Sequence, residues 1–113
     1  MDFNFKKKYG QNFLKDKRII DSIVLKSGVD NNTLVLEIGP GAGALTSELV
    51  KKAGHVIAFE IDESLKDILD SKLNEYNNVE VIFGDFLETN VNEIIKKYDY
   101  SKKIMVSNLP YYI

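Results

Sequence analysis

Glycines at 39, 41 and 43, an acid at 60, an Asp-Phe pair at 85–86 and an Asn-Leu-Pro-Tyr run at 108–111 are residues whose types and spacing could do chemistry together. In Gly39-Pro40-Gly41-Ala42-Gly43 the missing Cβ atoms let the backbone turn sharply and approach a ligand closely. The same glycines also suit a tight turn that binds nothing. Their spacing departs from the dinucleotide fingerprint, whose third glycine follows the second by three residues. Here it follows by two, and Glu37 stands two residues ahead of the first glycine. That leaves less room for a pyrophosphate over the helix start and favours a nucleoside with a short charged tail.

Glu60 lies 21 residues after Gly39, close to the roughly 20-residue spacing of an acid that grips ribose hydroxyls. A carboxylate suits that task because it only accepts hydrogen bonds and can take two at once. A solvated strand end is the plainer alternative for Glu60. The Asp85 carboxylate can accept from the exocyclic amine of an adenine, with Phe86 packed on the ring, although an aspartate after a glycine also makes an ordinary turn. Asn108-Leu109-Pro110-Tyr111 is the most informative stretch. An exocyclic amine is a poor nucleophile because its lone pair is delocalised into the ring. An asparagine carbonyl and a backbone carbonyl, both accepting from that amine, draw the nitrogen toward tetrahedral geometry. Pro110 stiffens the loop so that the Leu109 carbonyl points at the amine, and Tyr111 offers a face for a base taken out of its stack. Neither a metal nor a strong base is required, since the protein mainly positions the reactants.

These residues need a frame that brings them together, and the rest of the chain supplies one. Asp16 is expected to cap a helix whose Ile19, Ile20, Ile23 and Val24 share a face, ending near Gly28. Thr33–Ile38 reads as a buried parallel strand. A helix with Leu45, Leu49 and Val50 follows the glycine loop and stops at Gly54. Val56–Glu60 is the second strand, and Asp62 caps a helix bearing Leu65, Ile68, Leu69 and Leu73. Val79–Phe83 is the third strand, Val91, Ile94, Ile95 and Tyr98 mark a short crossover, and Lys103–Ser107 is the fourth strand. This alternation predicts right-handed βαβ units and a parallel sheet with helices on both faces. In such sheets a ligand sits beyond the carboxyl ends of the strands, where strand order reverses. The glycine loop, Glu60, Asp85 and Asn108 all mark those ends.

The 113 residues fit one domain, with 44% apolar, 28% charged and 11% aromatic residues, an ordinary globular composition. No cysteine is present, which excludes disulfides and thiolate metal sites. No apolar run approaches the roughly 18 residues of a membrane span, and no secretory signal is legible, so a cytoplasmic address is expected. The net charge of −2 is unevenly spread: residues 1–18 carry +4 and the other 95 carry −6. Residues 1–15 read as a basic arm able to touch phosphates, or as a solvated leader. His55, the sole histidine, reads as a surface residue rather than a base.

Read together, KKKYGQNFLKD at 6–16, LEIGPGAGALT at 36–46, FEID at 59–62, GDFL at 84–87 and NLPYYI at 108–113 resemble the ribosomal RNA adenine dimethyltransferase family, in its small-subunit branch. The resemblance runs nearly from end to end, and GQNFL is its most discriminating segment. It implies a Rossmann-like methyltransferase α/β fold, a parallel sheet with flanking helices, and S-adenosylmethionine as cofactor. The implied partner is ribosomal RNA or a small-subunit precursor, with no membrane and no metal. Gln11, Asn12 and Leu14 would close over the methionine end, with Glu37, Gly39 and Gly41 beneath it. Glu60 would hold the ribose, with Ile61 beside it, and Asp85 and Phe86 the adenine. Asn108, Leu109, Pro110 and Tyr111 would form the target-base pocket. The family's catalytic domain continues for several strands and is followed by a small helical RNA-binding domain. Residues 16–113 are thus expected to be the N-terminal part of that domain, truncated after the fourth strand. An exposed fourth strand with Met105 and Val106 uncovered, self-association along that edge and loss of activity on RNA are expected in consequence. Three other readings use similar residues: a large-subunit enzyme of the erythromycin-resistance type, an amino-methyltransferase acting on DNA adenine or protein glutamine, and a nucleotide-binding relative without activity.

Overall fold

A computed structural model describes residues 16–107. It opens with helix α1 (Lys17–Ser27), capped by Asp16, whose side chain accepts from the Arg18 N–H at 2.9 Å. That bond holds the Asp16 carboxyl below its ordinary pKa. Gly28 ends α1 in the left-handed conformation at φ 72°. Strand β1 (Thr33–Ile38) follows, then α2 (Ala44–Leu49), β2 (His55–Glu60), a 3₁₀ turn (Glu63–Leu65) and α3 (Lys66–Leu73). The described chain closes with β3 (Val79–Phe83), a second 3₁₀ turn (Phe86–Glu88), α4 (Val91–Ile95) and β4 (Lys102–Ser107).

The strands pair in parallel in the order β3-β2-β1-β4. Strand order therefore reverses at β1, which lies between β2 on one side and β4 on the other. In register, Glu37 stands between Ala58 and Val106, and Ile38 between Phe59 and Ser107. The central position of β1 explains its sequence: it is buried from Thr33 to Glu37, so both faces need apolar side chains.

Each face of the sheet has its own core. On one, Val35 and Val56 pack with Ile20 and Val24 of α1 and with Leu45 and Leu49 of α2. On the other, Leu34, Leu36, Ile57 and Phe59 meet Phe86, Val91, Ile94, Ile95, Tyr98 and Tyr100. The carbonyls at the end of α2 are not left bare, because the Asn78 side-chain amide donates to Val50 O at 2.8 Å and Ala53 O at 3.2 Å. Three details differ from the sequence expectation. Strands β2 and β4 each begin one residue earlier, at His55 and Lys102. Asp62 caps the 3₁₀ turn rather than α3 itself, so α3 buries its Leu69–Leu73 row and leaves Ile68 half exposed. His55 is not a simple surface residue: it is half-buried, stacks on Tyr98 at 4.5 Å between ring centroids, and its Nε2 is buried without a hydrogen-bond partner.

Among the described residues β4 pairs on one side only. Its Ile104 and Val106 pack against the α1–α2 core, whereas Met105 is 57% exposed. Of the two residues expected to be uncovered, Met105 is exposed and Val106 is partly buried against that core. No helix among the described residues is long and apolar enough to cross a membrane.

Candidate functional site

The glycine loop and Glu60 form one hydrogen-bonded unit at the carboxyl ends of β1 and β2. Gly39 donates its N–H to Phe59 O at 2.9 Å, and Gly84, just after β3, donates to Glu60 O at 2.9 Å. These bonds carry the sheet ladder one residue past the strand ends and bring three strand ends level. Glu60 is 5% exposed, and both carboxylate oxygens already serve the backbone. Oε1 accepts from the Gly41 N–H and Oε2 from the Asp62 N–H, each at 3.0 Å. Each oxygen keeps a second acceptor site, which is what a ribose diol would need. Glu60 is accordingly no solvated strand end but the residue that fixes the glycine loop.

The loop keeps its shape through glycine. Gly41 sits at φ +59°, and a Cβ built there would meet nothing within 4 Å, so the space above it is open. At Gly43, with φ +90°, a Cβ would press on Leu69 Cδ2 at 3.2 Å, so this glycine serves the packing of α3 on the start of α2. Helix α2 follows directly, with Gly43 O accepting from Ser47 N at 2.9 Å.

Glu37 is fully buried and lies beneath this loop in the sequence order of β1. Its Oε1 accepts from the Thr46 hydroxyl of α2 at 2.5 Å, and its Oε2 is buried with no hydrogen-bond partner. Burial pushes the Glu37 pKa up to about 7; the Thr46 hydrogen bond opposes that shift and the nearby Glu60 adds to it. Thr46, also fully buried, is a site-associated residue that the sequence reading did not single out. A signal was present: a hydroxyl between Leu45 and the inward Leu49, nine residues after an acid set in an otherwise apolar strand.

The folded chain holds a proton on Glu37 up to about pH 7, whereas an unfolded glutamate releases its proton near 4.5. This contribution is fully present below about 4.5 and is lost as pH rises through about 7. Glu37→Gln should therefore flatten the pH dependence of the urea midpoint, most visibly when pH 5 is compared with pH 8. Parallel slopes for the two proteins would show that Glu37 carries no such linkage.

The other sequence candidates are distributed as follows. Asp85 caps the second 3₁₀ turn: Oδ1 accepts from the Leu87 N–H at 2.9 Å, which leaves Oδ2 for another donor. Phe86 meets Phe59 edge-on, with ring centroids 5.0 Å apart, so one side of it belongs to the core beneath. Ile61 is 69% exposed and Leu87 is 89% exposed, placing two apolar side chains after β2 and β3. Gln11, Asn12, Leu14, Asn108, Leu109, Pro110 and Tyr111 lie outside the described residues. Ser107, which precedes Asn108, pairs with Ile38 beside the glycine loop.

Comparison with known proteins agrees with this geometry. Residues 2–113 match the family described as ribosomal RNA adenine dimethylase. The chain is 49% identical over 115 residues to the ribosomal RNA small subunit methyltransferase A of Listeria welshimeri, covering 98% of this chain and 39% of that protein. It thus spans about two fifths of the length of the curated relatives it matches. Among solved structures, a dimethyladenosine transferase from Plasmodium falciparum is similar with a TM-score of 0.69 and 30% identity, over 86% of this chain and 33% of that one. The 23S rRNA methyltransferase ErmE is similar with a TM-score of 0.63 and 28% identity, over 81% of this chain and 46% of that one. With its glycine loop, Glu37 and Glu60 at the reversal of a parallel sheet, the chain belongs to the ribosomal RNA adenine dimethylase family.

Proposed function

We propose that this chain supplies the S-adenosylmethionine site of an enzyme that methylates the exocyclic amine of adenines in small-subunit (16S) ribosomal RNA, giving N6-dimethyladenosine. The observation that carries the reading is the buried Glu60 carboxylate, anchored to the Gly41 N–H and still able to accept two hydroxyls. Gly41 leaves open space for a nucleoside, and Glu37 offers an unpartnered acceptor for a charged tail. Ile61, Asp85 and Phe86 suit an adenine, with Oδ2 of Asp85 accepting from its amine. The relatives named for small-subunit methylation favour that RNA over the large-subunit one.

S-adenosylmethionine supplies an activated methyl group on a sulfonium. In this reading Asn108 and the Leu109 carbonyl accept from the target amine and aim its lone pair, while Tyr111 stacks on the base and Pro110 holds the loop. Gln11, Asn12 and Leu14 cover the methionine end. When bound, the sulfonium would supply the methyl group to the amine that Asn108 and Leu109 hold, and the amine's proton would pass to water.

The test is calorimetric titration with S-adenosylmethionine, since the chain has no tryptophan to report by fluorescence. NAD and Glu60→Ala are the controls. Saturable binding that is absent with NAD and lost in the variant supports the cofactor. No binding by the folded chain and by a longer relative carrying the same residues would sink it. Methyl transfer to 23S rather than 16S RNA would move the enzyme to the large subunit.

The side of β4 left unpaired among the described residues, with Met105 exposed, is also proposed as a site of self-association. Sedimentation velocity should show dimers that Met105→Lys reduces; a monomer at all concentrations tested would refute this.

A further inference from the structure

Thr46, through its hydrogen bond to Glu37, carries a role that the family resemblance does not assign. Glu37 lies on the strand where the sheet order reverses, with no exposed surface and one carboxylate oxygen without a partner. Buried polar atoms are nearly always satisfied, and an exception calls for an unseen partner or a functional reason. The groups around it narrow the choice. In register its neighbours are Ala58 of β2 and Val106 of β4, which carry no charge. Among the described residues, α2 contributes the Thr46 hydroxyl, and the charged group that acts on Glu37 is the Glu60 carboxylate of β2. No cation of the protein compensates it among the described residues that act on it. A ligand bearing a positive charge would.

A threonine hydroxyl has one proton to donate. In α2 that proton goes to Glu37 Oε1 at 2.5 Å rather than back to the helix carbonyls. The bond fixes the rotation of the carboxyl group and reserves Oε2.

We infer that Thr46 is a positioning residue for the cofactor's amino-acid tail, orienting Glu37 so that Oε2 is held ready for the tail's ammonium group. The inference rests on the nucleoside reading of the site given above. Thr46→Val keeps the shape of the side chain and removes the hydroxyl. Oε1 then also lacks a donor, the carboxyl group holds its proton more tightly, and the tail loses its counter-charge. Thr46→Ser restores the donor.

Two probes separate this role from simple damage. S-adenosylhomocysteine carries the amino-acid tail, and 5′-methylthioadenosine has the same nucleoside and thioether without it. For the wild-type chain the tail should add affinity. Thr46→Val should weaken S-adenosylhomocysteine about tenfold or more while changing 5′-methylthioadenosine less than about twofold. The loss should grow as pH is lowered from 8 toward 6, because Glu37 must give up a proton to pair with the ammonium. Thr46→Ser should recover most of the wild-type difference between the two probes. Equal weakening of both probes, or no change in either, would overturn the positioning role. A wild-type chain that binds both probes equally would remove the tail from Glu37 and leave the nucleoside site standing. A wild-type chain that binds neither would overturn the nucleoside reading and this inference with it.

Discussion

Glu60→Ala is expected to weaken S-adenosylmethionine binding by roughly 10²–10⁴-fold. Two hydrogen bonds from a ribose diol to a carboxylate, at about 1.5–3 kcal/mol each, account for that range. The substitution also strips the Gly41 and Asp62 N–H groups of their acceptor, which loosens the loop that shapes the pocket. The two contributions can be told apart. Glu60→Gln keeps one acceptor oxygen and one backbone anchor, so it should fall between alanine and the wild type. If both variants bind as tightly as the wild type by calorimetry, the ribose does not rest on Glu60.

Leu49→Ala should destabilise the fold by about 2–5 kcal/mol, a large share of the roughly 5–15 kcal/mol by which a domain of this size is stable. Leu49 has no exposed surface and packs with Val35, Val56 and the buried face of α1. The cavity left behind would sit under the helix that carries Thr46, so the site should loosen with the core. Urea unfolding should show the midpoint falling by on the order of 1–2 M. Leu25→Ala is the matched control, since Leu25 is 82% exposed on α1 and should shift stability by no more than about 0.5 kcal/mol. Equal shifts for the two variants would mean that Leu49 is not the core residue its burial indicates.

The frame was legible because strand and helix signals alternate without overlap. Thr33–Ile38 and Val79–Phe83 have the boundaries expected from their β-branched runs, and Asp16 and Gly28 bound α1 as their cap chemistry requires. Glu60 was legible by its distance from Gly39. What the sequence could not reveal was pairing across distance. His55 looked like a surface residue because Tyr98, which stacks on it, lies 43 positions away and arrives only through the crossover after β3. Glu80 joins the same group by accepting from the Tyr98 hydroxyl at 3.1 Å. Gly54 could be read only as a helix stop, yet a Cβ there would collide with the Tyr100 ring and stand 2.5 Å from Asn31 O, so the position excludes a side chain. Thr46 carried a signal, a hydroxyl in the apolar row of α2, but its partner Glu37 could be named only once β1 and α2 were packed together.

The position of β4 at the far side of β1 shapes how the chain reaches this structure. Val35 meets Val56 across a short separation, but it meets Ile104 only after 69 residues have been synthesised or collapsed. Loop closure makes the second pairing entropically slower. A nascent chain can therefore assemble β1, β2 and β3 while the opposite flank of β1, buried in the folded sheet, waits bare. Among the four described strands, the reversal that forms the crevice is thus also the pairing of longest sequence separation, and it sets Val106 beside Glu37 and Ser107 beside Ile38.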